Sequence, residues 1–271
     1  WFVPAHWCNV WYPDCSRANR QAFKQMQLIV LAAGYATRLY PLTRDTPKPL
    51  LPVASRPMIE HVLAAAAPIA DIDLAIVVTN DRFASQFDSW ALATQAPFPV
   101  SVLNDGTSSN DDRLGAIGDL HKALKTHAID DDVIVIAGDN LFTEPLGDFG
   151  KFCKNKSAPC LGVYDVGTPE EATKYGVVAI DENARITSFE EKPAEPKSTL
   201  IGIALYYYPQ AVLPEIDRYL AEGNNPDQPG RLIQWLYPQR TVHAWPVPGQ
   251  WLDIGSHETL TEAQEIFGGR I

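Results

Sequence analysis

Residues 28–53 read LIVLAAGYATRLYPLTRDTPKPLLPV, and this stretch decides the fold. Its first six residues, Leu28 to Ala33, form an apolar run of strand length, and a long polar loop with Gly34, Arg38 and Lys48 follows. Ligands of open α/β sheets bind at the carboxyl ends of the strands, and backbone amides of a glycine-containing turn can hold phosphate oxygens. The stretch therefore predicts a phosphate-binding loop, in which Arg38 can hold a β- or γ-phosphate through two hydrogen bonds.

Beyond this loop, short runs rich in Val and Ile alternate with longer amphipathic segments, which is typical of a parallel sheet covered by helices. The predicted strands are Leu28 to Ala33, Leu74 to Thr79, Pro99 to Leu103, Val133 to Ala137, Leu161 to Val166, Val177 to Ile180, Leu200 to Tyr208 and Thr241 to Trp245. The predicted helices are Pro57 to Ala67, Arg82 to Ala93, Gly115 to His127, Pro209 to Ala221 and His257 to Phe267. The cluster GNNPDQPG at residues 223–230 predicts a loop.

Composition narrows the class of protein. The 271 residues are 46% hydrophobic and carry a formal net charge of −11, which disfavours nucleic-acid binding because that affinity comes mostly from Lys and Arg. No apolar run approaches the roughly 18 to 20 residues of a membrane span. The four cysteines lack the spacing of a zinc site. We expect a cytoplasmic chain with neither a nucleic-acid partner nor a membrane contact.

The segment 1–25 differs from the rest of the chain because Trp1, Trp7 and Trp11 crowd together without a strand or helix period. We interpret it as an N-terminal extension of unknown role. Residues 26–271 are expected to form one domain.

Two aspartates are candidates for a metal site. Asp139 lies in Gly-Asp-Asn directly after the predicted strand Val133 to Ala137, and Asp253 lies in WLDIGSHE. A carboxylate at the end of a strand can bind Mg²⁺ while substrate phosphates and water complete its octahedral shell. A turn residue or helix cap for Asp139, and a loop carboxylate for Asp253, are the plain structural alternatives.

Several motifs together resemble the sugar-phosphate nucleotidyltransferase family, which includes glucose-1-phosphate thymidylyltransferases and related uridylyl- and guanylyltransferases. The match covers LAAGYATRLYPLT with the later lysine before LLPV, then RLGAIG at 113–118, YGVV at 175–178, FEEKP at 189–193 and WLDIG at 251–255. The resemblance implies a Rossmann-like three-layer α/β fold with a mixed, mostly parallel central sheet. It also implies Mg²⁺-dependent transfer of a nucleoside monophosphate from a nucleoside triphosphate to a sugar 1-phosphate, with release of pyrophosphate.

The resemblance also assigns roles to individual residues. It implies catalytic roles for Arg38, Lys48 and Lys192, and places Asp139 and Asp253 on one magnesium ion. The implied nucleotide-binding residues are Leu31, Ala32, Ala33, Gly34, Thr37, Asn104 and Gly115. The implied sugar-phosphate-binding residues are Gly176, Glu191 and Lys192.

Three departures from the family pattern leave the substrates open. Ala36 stands where glycine is usual, and alanine resists a positive φ. Ala204 also replaces a usual glycine, and Ile201 a small residue. The segment TPKPLL at 46–51 resembles the uridylyl- and guanylyltransferase branches, whereas later segments resemble thymidylyltransferases. We favour dTTP or UTP with glucose 1-phosphate.

Two other interpretations compete with this function. A non-catalytic, regulatory member of the same fold could bind nucleotides or sugar phosphates, since fold alone does not establish chemistry; the joint presence of Arg38, Lys48, Asp139, Lys192 and Asp253 argues against it. A dinucleotide-binding oxidoreductase is disfavoured because the loop lacks GxGxxG spacing. Relatives in the family commonly form homo-oligomers, which is a possibility here.

Overall fold

A computed structural model describes residues 25–269 of the chain. The strands are β1 Met26–Leu31, β2 Pro52–Val53, β3 Arg56–Pro57, β4 Ile72–Thr79, β5 Val100–Asn104, β6 Asp132–Ala137, β7 Asn140–Phe142, β8 Cys160–Asp165, β9 Gly176–Ile180, β10 Ile186–Glu191, β11 Leu200–Tyr208, β12 His243–Pro246 and β13 Trp251–Asp253. The α-helices are α1 Met58–Ala66, α2 Ala84–Ala93, α3 Ala116–Thr126, α4 Gly147–Lys156, α5 Pro169–Ala172, α6 Leu213–Ala221, α7 Gly230–Leu236 and α8 His257–Gly268. Short 3-10 helices span Thr37–Leu39, Lys48–Leu50 and Gln210–Val212.

The main sheet of the described residues has nine strands and is mixed. Its four neighbouring strands β5, β4, β1 and β6 are all parallel, with Ile29 of β1 paired to Ile76 on one side and Val135 on the other. Strand β11 runs antiparallel to β6 and joins this parallel block to β8 and β9. The carboxyl ends of β1, β4, β5 and β6 therefore meet at one edge, where their loops emerge.

Helices cover both faces of the sheet. Leu28 and Val30 pack in a core with buried residues of α1, α2, α4 and α8, whereas Ile29 packs in a second core with residues of α3, α6 and α7. Because side chains alternate along a strand, these neighbours point to opposite faces. Burying each such side chain stabilises the fold by about 1.5 to 3 kcal/mol. The predicted three-layer α/β architecture is confirmed.

The eight predicted strands are all present, with bounds shifted by at most two residues. The shift matters at β1, which ends at Leu31, so Ala32 and Ala33 belong to the loop and not to the strand. The helix predicted over Pro209 to Ala221 is a 3-10 turn followed by α6, and His127 lies just after the end of α3.

Some elements were not predicted because their sequences lack a clear period. Strands β7 and β13 are only three residues long, and β10 ends in the charged string of FEEKP. Helix α4 reads GDFGKFCKNK, whose glycines and polar residues disfavour a helix. Tertiary packing of Phe149 and Cys153, both fully buried, holds this helix against the sheet.

The predicted N-terminal extension, 1–25, lies outside the described residues apart from residue 25. A single domain over 26–271 stays a prediction. Among the described helices, none combines the length and apolar character needed to cross a membrane.

Ala36, the residue that replaces glycine in the first loop, has a left-handed backbone with φ 46° and ψ 42°. Its carbonyl accepts hydrogen bonds from the Thr43 hydroxyl at 2.7 Å and from the Leu39 amide at 3.0 Å. The surrounding contacts thus hold alanine in the conformation that glycine adopts readily, at a cost of about 1 to 2 kcal/mol.

Exchange of Ala36→Gly should stabilise the protein by up to about 1 kcal/mol, because the relief of backbone strain exceeds the entropy that glycine adds to the unfolded chain. The free energy of unfolding from urea titration measures this change. As a matched control, Ala64→Gly on the exposed face of α1 should lower stability by about 1 kcal/mol. Equal losses for both variants would contradict strain at residue 36.

Candidate active site

The loop after β1 is fixed by backbone contacts to the two neighbouring strands. The Ala32 amide donates to the Val78 carbonyl at 2.8 Å, and the Gly138 amide donates to the Leu31 carbonyl at 2.9 Å. The fully buried Asn80 side chain donates to the Ala33 carbonyl at 2.9 Å. The loop is therefore held at the carboxyl edge of the parallel strands.

Gly34 and Thr37 lie on the open part of this loop. A β-carbon at residue 34 would meet nothing within 4 Å, so its backbone faces free space. Thr37 begins the short 3-10 helix that carries Arg38. The Arg38 guanidinium extends to Gly255, where a β-carbon would lie 3.6 Å from Nη1. Two segments far apart in sequence thus meet across the edge of the sheet.

The two candidate metal ligands are brought together by the ribbon of β7 and β13. In this antiparallel pair Asp253 lies opposite Asn140, the neighbour of Asp139. The Ile254 amide also donates to the Asp139 carbonyl at 3.3 Å. Burial and the nearby carboxylate of Asp139 raise the pKa of Asp253 to about 6, against the opposing effect of nearby cations including Lys48. The negative charge of Asp139 therefore acts directly on the Asp253 carboxyl.

A chain of hydrogen bonds orients Asp139. The Trp251 indole donates to Asn140 Oδ1 at 2.8 Å, and Asn140 Nδ2 donates to Asp139 Oδ1 at 3.1 Å. Asn140 is buried, so its amide has a fixed direction. The motifs that contain Asn140 and Trp251 were recognised in the sequence, but these two side chains were given no role there.

Lys48 is mostly buried beneath the same ribbon. Its ammonium donates to the Ile254 carbonyl at 2.5 Å and forms an ion pair with the Asp139 carboxylate. A buried ammonium is costly unless charged and polar partners surround it. Lys48 therefore ties the first loop to the β7–β13 ribbon and offsets part of its negative charge.

A cavity of about 590 Å³ lies beside this ribbon. Five of the predicted site residues line it: Arg38, Gly176, Glu191, Lys192 and Asp253. Asn140, Tyr175 and Trp251 also contribute to its wall. The remaining predicted residues are not part of this lining.

Glu191 is held between two glycines. A β-carbon at Gly176 would lie 3.1 Å from Glu191 Oε2 and overlap the Phe189 ring, and one at Gly230 would lie 2.7 Å from the same oxygen. Burial raises the pKa of Glu191, while the nearby charges of Lys192 and Arg231 oppose that rise. A side chain at either position would overlap the Phe189 ring and crowd this carboxylate.

Asn104 and Gly115 lie farther along the edge, near α3. The Asn104 amide donates to Asp81 Oδ1 at 2.7 Å and its carbonyl oxygen accepts from the Gly106 amide at 2.8 Å. Gly115 has φ 80°, and a β-carbon there would lie 2.6 Å from the Pro226 carbonyl. In this structure the Asn104 side chain is bonded to Asp81 and to its own turn, and Gly115 permits close contact with another backbone segment.

Two buried carboxyls between these residues and the first loop gave no signal in the sequence. Asp105 Oδ1 accepts from the amide and hydroxyl of Thr107, both at 2.7 Å. Asp105 Oδ2 and Asp119 Oδ1 are buried and have no other hydrogen-bonding group among residues 25–269. Burial, then the charge of Asp105 and a hydrogen bond to it, raise the pKa of Asp119 to about 8, with Lys122 opposing and Asp227 adding to the rise. Burial and the neighbouring carboxylate therefore favour the protonated form of Asp119 in the folded protein.

The pH dependence of the free energy of unfolding should reveal the raised pKa of Asp119. The pKa of Asp119 rises from 3.8 to about 8 on folding. Between these values the folded chain keeps a proton that the unfolded chain releases, so this group makes the free energy of unfolding decrease as pH rises and level off above about pH 8. Asp119→Asn should flatten the decrease between pH 5 and pH 8.5 by about 1 kcal/mol or more.

Urea titrations at several pH values measure that slope. Asp111→Asn changes an exposed carboxyl in the loop before α3 and serves as the control. Identical pH slopes for the wild type and Asp119→Asn would contradict a raised pKa of Asp119 in the folded protein.

Asp139 and Asp253 fit a magnesium ion by the chemistry of their donor atoms. Mg²⁺ takes oxygen ligands and is commonly held by one or two carboxylates, with water and substrate phosphates in the remaining positions. The charge of Asp139 disfavours ionisation of Asp253, as the raised pKa of Asp253 indicates, so a cation between the two carboxylates would be stabilised. Within residues 25–269 no group of three or more His, Cys, Asp and Glu side chains is placed to hold a metal.

The fold and this site define a class: three-layer α/β proteins with carboxylates and cationic side chains gathered at the carboxyl edge of the sheet. The chain belongs to the nucleotidyl transferase family, whose model matches residues 27–268.

Individual relatives agree with that assignment. Glucose-1-phosphate thymidylyltransferase of Neisseria meningitidis serogroup A is 32% identical over 88% of this chain and 81% of that protein. The bifunctional protein GlmU of Methanocaldococcus jannaschii is 27% identical over 91% of this chain, which spans 55% of its length. A solved UDP-glucose pyrophosphorylase in complex with UDP-glucose superimposes with a TM-score of 0.76 over 91% of this chain and all of that one. At 21% identity this last likeness supports the fold alone.

Proposed function

We propose that this protein is a sugar-1-phosphate nucleotidyltransferase that depends on Mg²⁺. It transfers a nucleoside monophosphate from a nucleoside triphosphate to a sugar 1-phosphate and releases pyrophosphate. The observation that carries the proposal is the convergence of Asp139, Asp253, Lys48, Arg38 and Lys192 around one edge of the sheet and its cavity.

In the proposed reaction a phosphate oxygen of the sugar 1-phosphate attacks the α-phosphorus of the nucleotide. One P–O bond forms to the α-phosphorus, and the bond from that phosphorus to the oxygen bridging to the β-phosphate breaks. The electron pair leaves with pyrophosphate. The attacking phosphate is already anionic, so no strong base is required, and positioning and charge neutralisation supply the catalysis.

Different cationic side chains would neutralise the negative charges of the two substrates. Arg38 would bind and stabilise the departing pyrophosphate, because a guanidinium makes paired hydrogen bonds to phosphate. Lys192 would bind the sugar phosphate, and Lys48 would reduce repulsion between the anionic reactants. When bound to Asp139 and Asp253, Mg²⁺ would supply Lewis-acid stabilisation of negative charge on the phosphate oxygens.

The remaining predicted residues would bind the two ligands. Leu31, Ala32, Ala33, Gly34 and Thr37 would line the nucleotide site. The open backbone at Gly34 would lie near the nucleotide phosphates, and Asn104 and Gly115 near the base. Glu191 would accept hydrogen bonds from sugar hydroxyls, and Gly176 would let the sugar approach the backbone. The half-buried carboxylate of Glu191 at the wall of the cavity supports that role.

We favour dTTP or UTP as nucleotide and glucose 1-phosphate as acceptor. Motif resemblance and the thymidylyltransferase named among the relatives support this choice. A cytoplasmic location and a homo-oligomeric assembly remain predictions from the family resemblance and the composition.

The deciding experiment measures pyrophosphate release with Mg²⁺ for five nucleotides, dTTP, UTP, GTP, CTP and ATP, against glucose, mannose and N-acetylglucosamine 1-phosphates. We expect release with dTTP or UTP and glucose 1-phosphate, and none when either substrate is omitted. Nucleotide binding without release for any pair would contradict the proposal and favour a regulatory member of the family.

The metal ligands can be tested separately. Asp139→Asn and Asp253→Asn should each lower kcat by about 100-fold at saturating substrate and 10 mM MgCl₂ or more, because each loses a charged ligand near the reacting phosphates. Asp148→Asn, an exposed aspartate of α4, is the matched control and should retain wild-type kcat. Wild-type turnover in Asp139→Asn would rule this residue out as a metal ligand.

A further inference from the structure

A segment that the proposed function does not use runs between its two substrate sites. Residues 223–229, here called the strap, connect α6 to α7. One part of the strap contacts the start of α3, next to the predicted nucleotide residue Gly115. Its other end, Pro229, lines the cavity that contains the predicted sugar-phosphate residues.

The strap supplies the N-terminal cap of α3 from a distance of more than 100 residues in sequence. The Ile117 amide donates to the Pro226 carbonyl at 2.8 Å, and the Ala116 amide donates to the Asp227 carbonyl at 3.3 Å. These are the amides that a helix leaves without partners at its first turn. The start of α3 therefore depends on where the strap lies.

One ion pair fixes the strap against the turn before α3. Arg113 Nε donates to Asp227 Oδ1 at 2.8 Å and its Nη2 donates to Oδ2 at 3.1 Å, while Nη1 donates to the Asn110 carbonyl at 2.7 Å. The side chains of Arg113 and Asp227 are 43% and 41% exposed. A single exposed pair adds little stability, but the two-pronged geometry fixes the relative position of two segments.

The strap continues directly into the sugar-phosphate side. Gly230 follows Pro229 and packs against Glu191, and the Arg231 guanidinium donates to Gln228 at 2.6 Å. The charge of Lys192 also acts on the Asp227 carboxylate. A displacement of Asp227 would thus change the contacts on both sides of the strap.

We propose that the Arg113–Asp227 ion pair is a positioning contact that couples the nucleotide site to the sugar-phosphate site. The inference rests on the proposed function. Neither residue touches the reacting atoms; both act by holding the turn before α3 and the strap in one arrangement. Loss of the pair weakens the binding of both substrates together and leaves the catalytic side chains in place.

Initial rates of Arg113→Gln, Asp227→Asn and the double variant test the coupling. Each single variant should raise KM for both substrates by about fivefold, with kcat changed less than threefold, because uniform binding is lost. The double variant should be no worse than the poorer single variant. Arg113→Lys, which keeps the charge but not the two-pronged geometry, should lie between wild type and Arg113→Gln.

Lys151→Gln breaks an exposed ion pair within α4 and is the matched control, with both KM values expected to stay at wild type. A role confined to stability would lower the melting temperature and leave both KM values within twofold of wild type, which would overturn the inference while the proposed function stands. A rise in KM for one substrate alone would also overturn it.

Amide hydrogen exchange of the ligand-free protein separates this inference from the proposed function. Asp227→Asn should speed exchange about fivefold or more both at Ala116 and Ile117 and in α7 from Gly230. If the wild type turns over no substrate pair, the proposed function fails. Hydrogen exchange alone then decides whether the ion pair couples the two segments. Wild-type exchange in either segment would then reject the coupling, and faster exchange in both would support it.

Discussion

Asp139 and Asp253 are like charges that the fold holds side by side, and most features of the site follow from that repulsion. The β7–β13 register places them together, and burial makes their joint ionisation unfavourable, as the raised pKa of Asp253 reports. Lys48 offsets part of the charge and also ties the first loop to the ribbon. Asn140 and Trp251 fix the direction of Asp139 through hydrogen bonds. A cation shared with substrate phosphates would complete this arrangement.

The site also requires backbone segments to approach closely. Glycines at 176 and 230 leave room for Glu191, and Gly115 leaves room for the strap. Ala36 differs, since it takes a left-handed conformation that glycine would adopt with less strain. The protein therefore combines a rigid sheet with a few positions at which the side chain or its absence sets the spacing between loops.

Much of the fold could be predicted because strand residues such as Leu28, Ile29 and Val30 are buried on both faces and read as continuous apolar runs. The loop, the aspartates and Glu191 were found through local motifs, and the structure brings five predicted residues to one cavity. Helix α4 was missed because its local sequence disfavours a helix, and β7 and β13 because three residues show no period. Asp105 and Asp119 were missed because nothing local distinguishes a buried aspartate from an exposed one.

The sequence alone shows which side chains suited to binding phosphate, a metal ion and sugar the chain carries, and that they follow strands of an α/β sheet. Local patterns suffice for this, because strand period and loop position are properties of neighbouring residues. Tertiary structure alone decided which of them meet: Asp139 with Asp253, Lys48 with Ile254, and Arg113 with Asp227. Those contacts join segments more than 100 residues apart. They depend on strand register and helix packing, which a local sequence pattern does not specify.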